Sequence, residues 1–374
     1  MAKLLKRSPH FGQHVAHGAK NFFDFAGWEM PEYFSSMAEE VQACRSTAVV
    51  FDGHAMGEVY ITGKDAHKAV QKVCVANIKV EPGRCFYSSL CKEDGGMFDD
   101  LVVFCIAPDN FLLTVAAFNV HKTPGWIEKH IADMDASVCD LSAGTTCIEI
   151  QGPKSREILS KIADIDLSNE ALPYFRFRNA HVAGIDCLIA RLGVTGELGY
   201  EIFYDPGYAW TMYDALVEAG KNDGLMLAGN RTVGMFRLEK VYHIYTREVD
   251  ETTNPFEAGL GHTVNFDKGD FVGRDALLSI KRQGVERQLV GYVVDSDPVV
   301  ITPGTPIEID GKTVGKATFA AYSPTLSKTI GLGYVPVSHA EIGSQLTVVH
   351  DSGRLSAKIT QIPFFDPEGA RIRV

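Results

Sequence analysis

Positive charge is in short supply in this chain. Its 36 Lys and Arg are outnumbered by 47 Asp and Glu, a formal net charge of −11, so no nucleic-acid footprint is expected and neutral or cationic partners fit better. Long apolar runs are missing too. Nothing approaches the roughly 18 consecutive apolar residues of a membrane span, and the basic start, Met1 to Arg7, leads into Ser8-Pro9-His10-Phe11 instead of an apolar signal core. The expectation is a cytoplasmic protein with no membrane partner. The eight cysteines (Cys44, Cys74, Cys85, Cys91, Cys105, Cys139, Cys147 and Cys187) include no C-x-x-C pair, and the histidines are assigned no metal. Buried free thiols are expected instead.

What is present suits a large folded core. With 45% hydrophobic and 22% charged residues over 374 positions, the chain is long enough for two or three domains. Helix-like spacing over Glu39 to Ala48 and His67 to Cys74 brackets an alternating strand from Gly57 to Gly63. Strands are then expected over Arg84 to Leu90, Leu101 to Ile106 and Phe111 to Ala117, the first two flanking a Glu93-Asp94-Gly95-Gly96 turn. Helical segments follow near Trp126 to Ile131 and Ser155 to Ile162, the latter after a strand over Thr146 to Gln151. The pattern is α+β and mostly antiparallel. From Arg287 onward short β-rich runs separated by turn residues read as a small barrel or sandwich, so the expected domains are 1–285 and 286–374.

One run stands out near the middle: Val194-Thr195-Gly196-Glu197-Leu198-Gly199-Tyr200-Glu201-Ile202. It sets two carboxylates beside two glycines in a strand-like stretch. Glycine lets backbone approach a ligand, and a carboxylate held on a strand can accept two adjacent N–H donors from a planar edge such as a pterin or purine. Together with His17-Gly18-Ala19-Lys20, Asp24 to Pro31, Gly95-Gly96-Met97-Phe98-Asp99-Asp100, Arg237-Leu238-Glu239, Asn254 to Leu260 and Asp270 to Leu277, this run closely resembles the aminomethyltransferase family of the glycine cleavage system. The resemblance extends over essentially the whole chain. It implies a three-domain cloverleaf around a central folate channel, closed by a C-terminal β-barrel, with tetrahydrofolate as co-substrate.

By that resemblance Glu201 anchors the pterin through its N3–H and 2-amino group, and Asp100 is the catalytic aspartate beside N5. Tyr87 and Tyr174 line the channel, and Glu197 and Val194 support the anchoring run. Arg371 and Arg373, positive groups in an otherwise negative protein, are expected to meet the folate glutamate carboxylates, with a solvated tail as the alternative. From the residues alone, Asp99-Asp100 after a double glycine reads equally as a hairpin cap. The donor is expected near Asp52, His54, Met56 and Trp28, although Trp28 also suits simple packing around its turn.

Several polar positions of the family are missing. Its Phe-Asp-Val-Ser-His-Met-Gly-Glu segment stands here as Phe51-Asp52-Gly53-His54-Ala55-Met56-Gly57-Glu58. Val194 replaces a tyrosine, and Val233 and Gly234 replace an arginine and an aspartate. Retention of Asp100 and Glu201 with loss of these groups implies a methyl transferase taking a small methylated donor to N5 of tetrahydrofolate. A cationic donor suits the charge. The alternatives are an aminomethyltransferase served by a lipoylated carrier protein and yielding methylene-tetrahydrofolate, and a non-catalytic folate-binding accessory protein.

Overall fold

The computed structural model describes residues 4–374; Met1 to Lys3, within the basic start, lie outside the described residues. Helix α1 (Phe11–Ala16), a hairpin of β1 (Lys20–Phe25) and β2 (Trp28–Tyr33), and helix α2 (Met37–Ser46) lead into β3 (Ala48–Asp52). A Ser-x-x-Glu start opens α2. Ser36 Oγ accepts the Glu39 N–H at 3.3 Å and donates to the Glu39 carboxylate at 2.8 Å.

The chain then builds a first sheet from β4 (Gly57–Thr62), helix α3 (Ala66–Val73), β5 (Arg84–Cys91), β6 (Met97–Ala107), β7 (Asn110–Val115), helix α4 (Thr123–His130) and β8 (Ser137–Asp140). Its antiparallel order is β5-β6-β7-β4-β8. A second sheet uses β9 (Thr146–Gln151), helix α5 (Ser155–Leu159), β10 (Phe177–Val182), β11 (Ile185–Ala190), β12 (Gly199–Tyr204), helix α6 (Ala209–Gly220) and β13 (Leu225–Leu227). The order there is β10-β11-β12-β9-β3-β13, with only β13 parallel to its neighbour. Because β3 precedes the first sheet and β9 follows it, the two units are threaded through each other.

Helices α7 (Asn230–Lys240) and α8 (Arg274–Gln283) precede β14 (Arg287–Val294), β15 (Pro306–Ile309), β16 (Lys312–Ser323), β17 (Lys328–Pro336), β18 (Gln345–His350) and β19 (Gly353–Thr360). These six strands close into a barrel. The α+β expectation and the C-terminal barrel both hold. The barrel meets α2, β3 and α7 in a shared apolar cluster containing Val41, Phe51, Phe236, Leu289 and Leu332.

Strand alternation decides what lies between the sheets. On the first sheet Val59, Ile61, Val103 and Leu113 point outward under α3 and α4, so the alternate residues Glu58, Tyr60, Asp100, Val102, Phe104, Leu112 and Thr114 turn the other way. On the second, Ile148, Ile150, Ile202 and Tyr204 lie under α5 and α6, which turns Cys147, Glu149, Gln151, Glu201 and Phe203 inward. Phe104 joins the two faces. Its ring lies 5.3 Å from Phe177 and 5.6 Å from Phe203, within a cluster that also holds Cys85, Leu112, Cys147 and Ala190.

Helix α7 starts without a side-chain cap of its own, because its preceding residue is Gly229. A Cβ there would lie 2.0 Å from the Glu32 carbonyl. The buried Glu40 carboxylate supplies the cap from α2, accepting Gly229 N–H at 3.0 Å and the Thr232 hydroxyl at 2.5 Å.

Candidate functional site

Asp100 sits on the inner face of β6, across the ladder from Ser89 and diagonal to Tyr87. The Tyr87 hydroxyl donates to Asp100 Oδ2 at 2.9 Å. Burial pushes the Asp100 carboxyl up to about 6, with the negative charge of Glu248 adding to the rise and the Tyr87 hydrogen bond opposing it. Asp99 points to the opposite face. It accepts the Thr123 hydroxyl at 2.6 Å and the backbone N–H groups of Asp100 at 2.9 Å and Ala116 at 3.3 Å, and burial pushes it up to about 7. Of the adjacent pair, Asp99 holds the backbone and Asp100 faces the space between the sheets. The double glycine makes the turn four residues earlier, where Gly95 adopts a φ of +89°.

Glu201 occupies the facing surface on β12, with Glu149 of β9 directly across the ladder. Two carboxylates side by side repel, and both lie in a poorly solvated position. Burial pushes Glu201 up to about 7; burial, with the charges of Glu201 and Asp52, carries Glu149 well above the carboxylate range. Gln151 donates to Glu149 Oε2 at 3.1 Å and to the Leu192 carbonyl at 3.0 Å, and its own oxygen accepts the Thr195 hydroxyl at 2.9 Å.

Gly199 of the anchoring run and Gly193 just before it leave room for this side chain. A Cβ on Gly199 would lie 2.2 Å from Gln151 Oε1, and one on Gly193 would lie 2.0 Å from it. The close approach expected at Gly199 is therefore made by a glutamine of the same sheet. Gly199→Ala is expected to cost about 1–3 kcal/mol through overpacking, and adding Gln151→Ala should recover part of that loss in urea unfolding.

Tyr174 lies beside the same site. Cys85 N–H reaches the Phe175 carbonyl at 2.9 Å and Phe177 N–H reaches the Gly83 carbonyl at 3.0 Å, so the strand bearing Tyr87 runs alongside the segment bearing Tyr174. Burial pushes the Tyr174 phenol up, and the Tyr242 hydroxyl and the charge of Glu201 both bear on it. Tyr242 has no signal in the sequence. It follows Val241, which ends α7 at a φ of +59°, a conformation β-branched residues rarely adopt.

Other expected site residues stand apart from this arrangement. Glu197 is buried in an ion-pair network, receiving Arg45 at 3.0 Å and Arg371 at 2.8 and 2.7 Å. Arg371, expected to meet folate carboxylates, is thus engaged by Glu197 and also donates to the Arg45 carbonyl at 2.7 Å. Arg373 donates to the Glu368 and Gly369 carbonyls at 2.7 and 3.1 Å. Val194 packs against the apolar cluster of α7 and the barrel.

On the expected donor side, Asp52 is enclosed. It accepts the Ser8 hydroxyl at 2.5 Å and the His54 N–H at 2.9 Å, and lies 3.0 Å from His10 Nδ1 and 3.4 Å from His14 Nε2. Burial would raise its pKa, but His10, His14 and the Ser8 hydroxyl together outweigh that and hold the carboxyl well below the usual range. Burial takes His14 down to about 4. The four-residue spacing of His10, just before α1, and His14 within it is the one sequence signal that could have pointed to this cluster. His54 is buried edge-on to Trp28 at 4.7 Å, Lys6 lies over Trp28 at 4.2 Å, and Met56 is exposed.

Two facing sheets with carboxylates between them and a six-stranded barrel beside them match the architecture that the resemblance implies for an enzyme of tetrahydrofolate-dependent one-carbon transfer. The GCVT N-terminal domain matches residues 10–268, and the glycine cleavage T-protein C-terminal barrel domain matches residues 287–366. An aminomethyltransferase of Halothermothrix orenii is 37% identical over 361 residues, covering 96% of this chain and 100% of that protein. One from Thermotoga maritima is 39% identical over 363 residues, covering 96% and 98%. The crystal structure of glycine cleavage system aminomethyltransferase T from Bartonella henselae matches with a TM-score of 0.90 at 25% identity, covering 97% of this chain and 99% of that one. This chain belongs to the glycine cleavage T-protein family.

Among the described residues no helix is long and apolar enough to cross a membrane.

Proposed function

We propose that the chain moves a methyl group from a small methylated donor to N5 of tetrahydrofolate. The residues between the sheets suit the folate: Glu201 and Glu149 offer acceptors at a site whose own side chains bring few donors, and a pterin edge brings N–H groups. Glu201 holds that edge, with Tyr87 and Tyr174 as aromatic walls. Tetrahydrofolate supplies the nucleophilic N5. Asp100 fixes the position of N5, stabilises the positive charge that grows there and takes the proton that N5 loses. The N5 lone pair forms the new N–CH3 bond, and the electron pair of the old bond to carbon leaves with the donor heteroatom.

The observation that carries the methyl reading is the face of α7 where the resemblance leads one to expect an arginine and an aspartate. Val233 packs into the apolar cluster there, and a Cβ on Gly234 would meet nothing within 4 Å. The loss of both charged groups from this face suits a methyl-bearing donor. The second reading, aminomethyl transfer from a lipoylated carrier protein, is favoured by relatives at 37% and 39% identity named aminomethyltransferases.

A donor screen with tetrahydrofolate separates the two. Methyl-tetrahydrofolate from a sulfonium, methylamine or methoxy compound, read by mass, is the expected result. Methylene-tetrahydrofolate formed only with the lipoyl carrier would overturn it. Glu201→Ala is expected to weaken tetrahydrofolate binding about tenfold to a hundredfold in fluorescence titration, the loss of a charge-assisted pair of hydrogen bonds.

A further inference from the structure

We propose that Glu58 and Glu149, beside the Glu201 that holds the pterin edge, form an acidic subsite between the facing sheets that takes the positively charged group of the donor, a sulfonium or an ammonium. This rests on the one-carbon transfer reading above.

Glu58 is the observation that points to a ligand. It is fully buried on the inner face of β4, and neither carboxylate oxygen has a hydrogen-bond partner among the described residues. The charges bearing on it belong to Asp140 of β8 and Glu201 of β12. Those bearing on Glu149 belong to Glu201 and to Asp52 at the end of β3, with Gln151 as its hydrogen-bond donor. The thiol of Cys147, on the same face, feels Glu201, Glu149, Glu58 and Asp52 together. Every charged neighbour named here is acidic. A pterin edge can satisfy one of these carboxylates and leaves the others without a counter-charge.

The turn after β3 borders this subsite. A Cβ on Gly53 would lie 3.3 Å from Glu149 Oε1 and 3.2 Å from Cys147 Sγ. The lack of a side chain at Gly53 thus lets the Asp52 to Met56 turn pack closely against Glu149. No group of three or more His, Cys, Asp or Glu among the described residues is placed to hold a metal ion. A sulfonium or a methylated ammonium is weakly hydrated and gives up little on leaving water, and a buried carboxyl pair that holds protons can release one to admit it.

The test is titration calorimetry of the intact protein saturated with tetrahydrofolate. The probes are trimethylsulfonium chloride, tetramethylammonium chloride and the neutral tert-butanol. Both cations are expected to bind more tightly than tert-butanol, with release of about one proton per cation, read as a buffer-dependent enthalpy. Glu149→Gln and, separately, the isosteric Glu58→Gln are expected to weaken cation binding by about tenfold or more, with circular dichroism confirming the fold.

Cation affinity equal to that of tert-butanol overturns the subsite. So does wild-type cation affinity in both variants, or a loss of cation affinity that only tracks a loss of tetrahydrofolate affinity. Methyl transfer from a neutral methoxy donor alone, without cation binding, removes the subsite and leaves the methyl reading standing. Cation binding without any methylated folate does the reverse.

Discussion

Asp100→Asn is expected to lower turnover about a hundredfold to a thousandfold, with tetrahydrofolate affinity changed by less than about threefold. The substitution keeps the shape of the side chain. What disappears is the charge that faces N5 and the ability to accept its proton, both needed more in the transition state than in binding. The Tyr87 hydroxyl, 2.9 Å from Oδ2, can still donate to the amide oxygen. With the carboxyl pushed up to about 6, wild-type turnover should rise as pH passes about 6.

Stability should run the other way. A carboxyl raised from 3.8 to about 6 in the folded protein binds more protons folded than unfolded between those values, so stability is lost as pH rises through that window. At pH 8, Asp100→Asn should melt no lower than wild type. A variant that loses both turnover and melting temperature would refute the catalytic assignment and make Asp100 a structural residue.

Arg45→Met is expected to cost about 3–5 kcal/mol, because it strips the counter-charge from buried carboxylates. Arg45 reaches Glu197 at 3.0 Å, Glu239 at 2.5 Å and the Thr195 carbonyl at 2.7 Å. Glu239 also accepts Ser323 at 2.5 Å and Thr325 at 3.1 Å. One guanidinium therefore joins α2, the run before β12, α7 and the end of β16. Urea unfolding should show the loss, and proteolysis should show earlier release of the barrel; a change below about 1 kcal/mol would class the network with surface ion pairs.

This network shows where reading the sequence stops. Arg237-Leu238-Glu239 stands out as a motif, yet its charged residues point to partners outside it: Glu239 to Arg45, far back in the chain, and Arg237 to Glu248 at 2.7 Å, beyond the end of the helix. Glu197 lies in the most informative run of all, and only the fold reveals that Arg371 closes on it from the C-terminal tail. Glu58 and Glu149 drew no attention as single acids in strands. They gain meaning because β4 and β9 turn them toward the same space as Glu201.

The sequence by itself determined the kinds of element and the family. Periodicity of two or of 3.6 is local, and it already marks β5 to β7, β9, α3 and the barrel strands, just as alternation puts Asp99 and Asp100 on opposite faces. Tertiary structure decided which side chains share a site. Pairing of β12 with β9 set Glu201 beside Glu149, and the packing of α1 on β3 enclosed Asp52 between His10 and His14. The physical reason is that strand register and burial join residues far apart in the chain, and the charge of a carboxyl depends on those neighbours and on how little water reaches it.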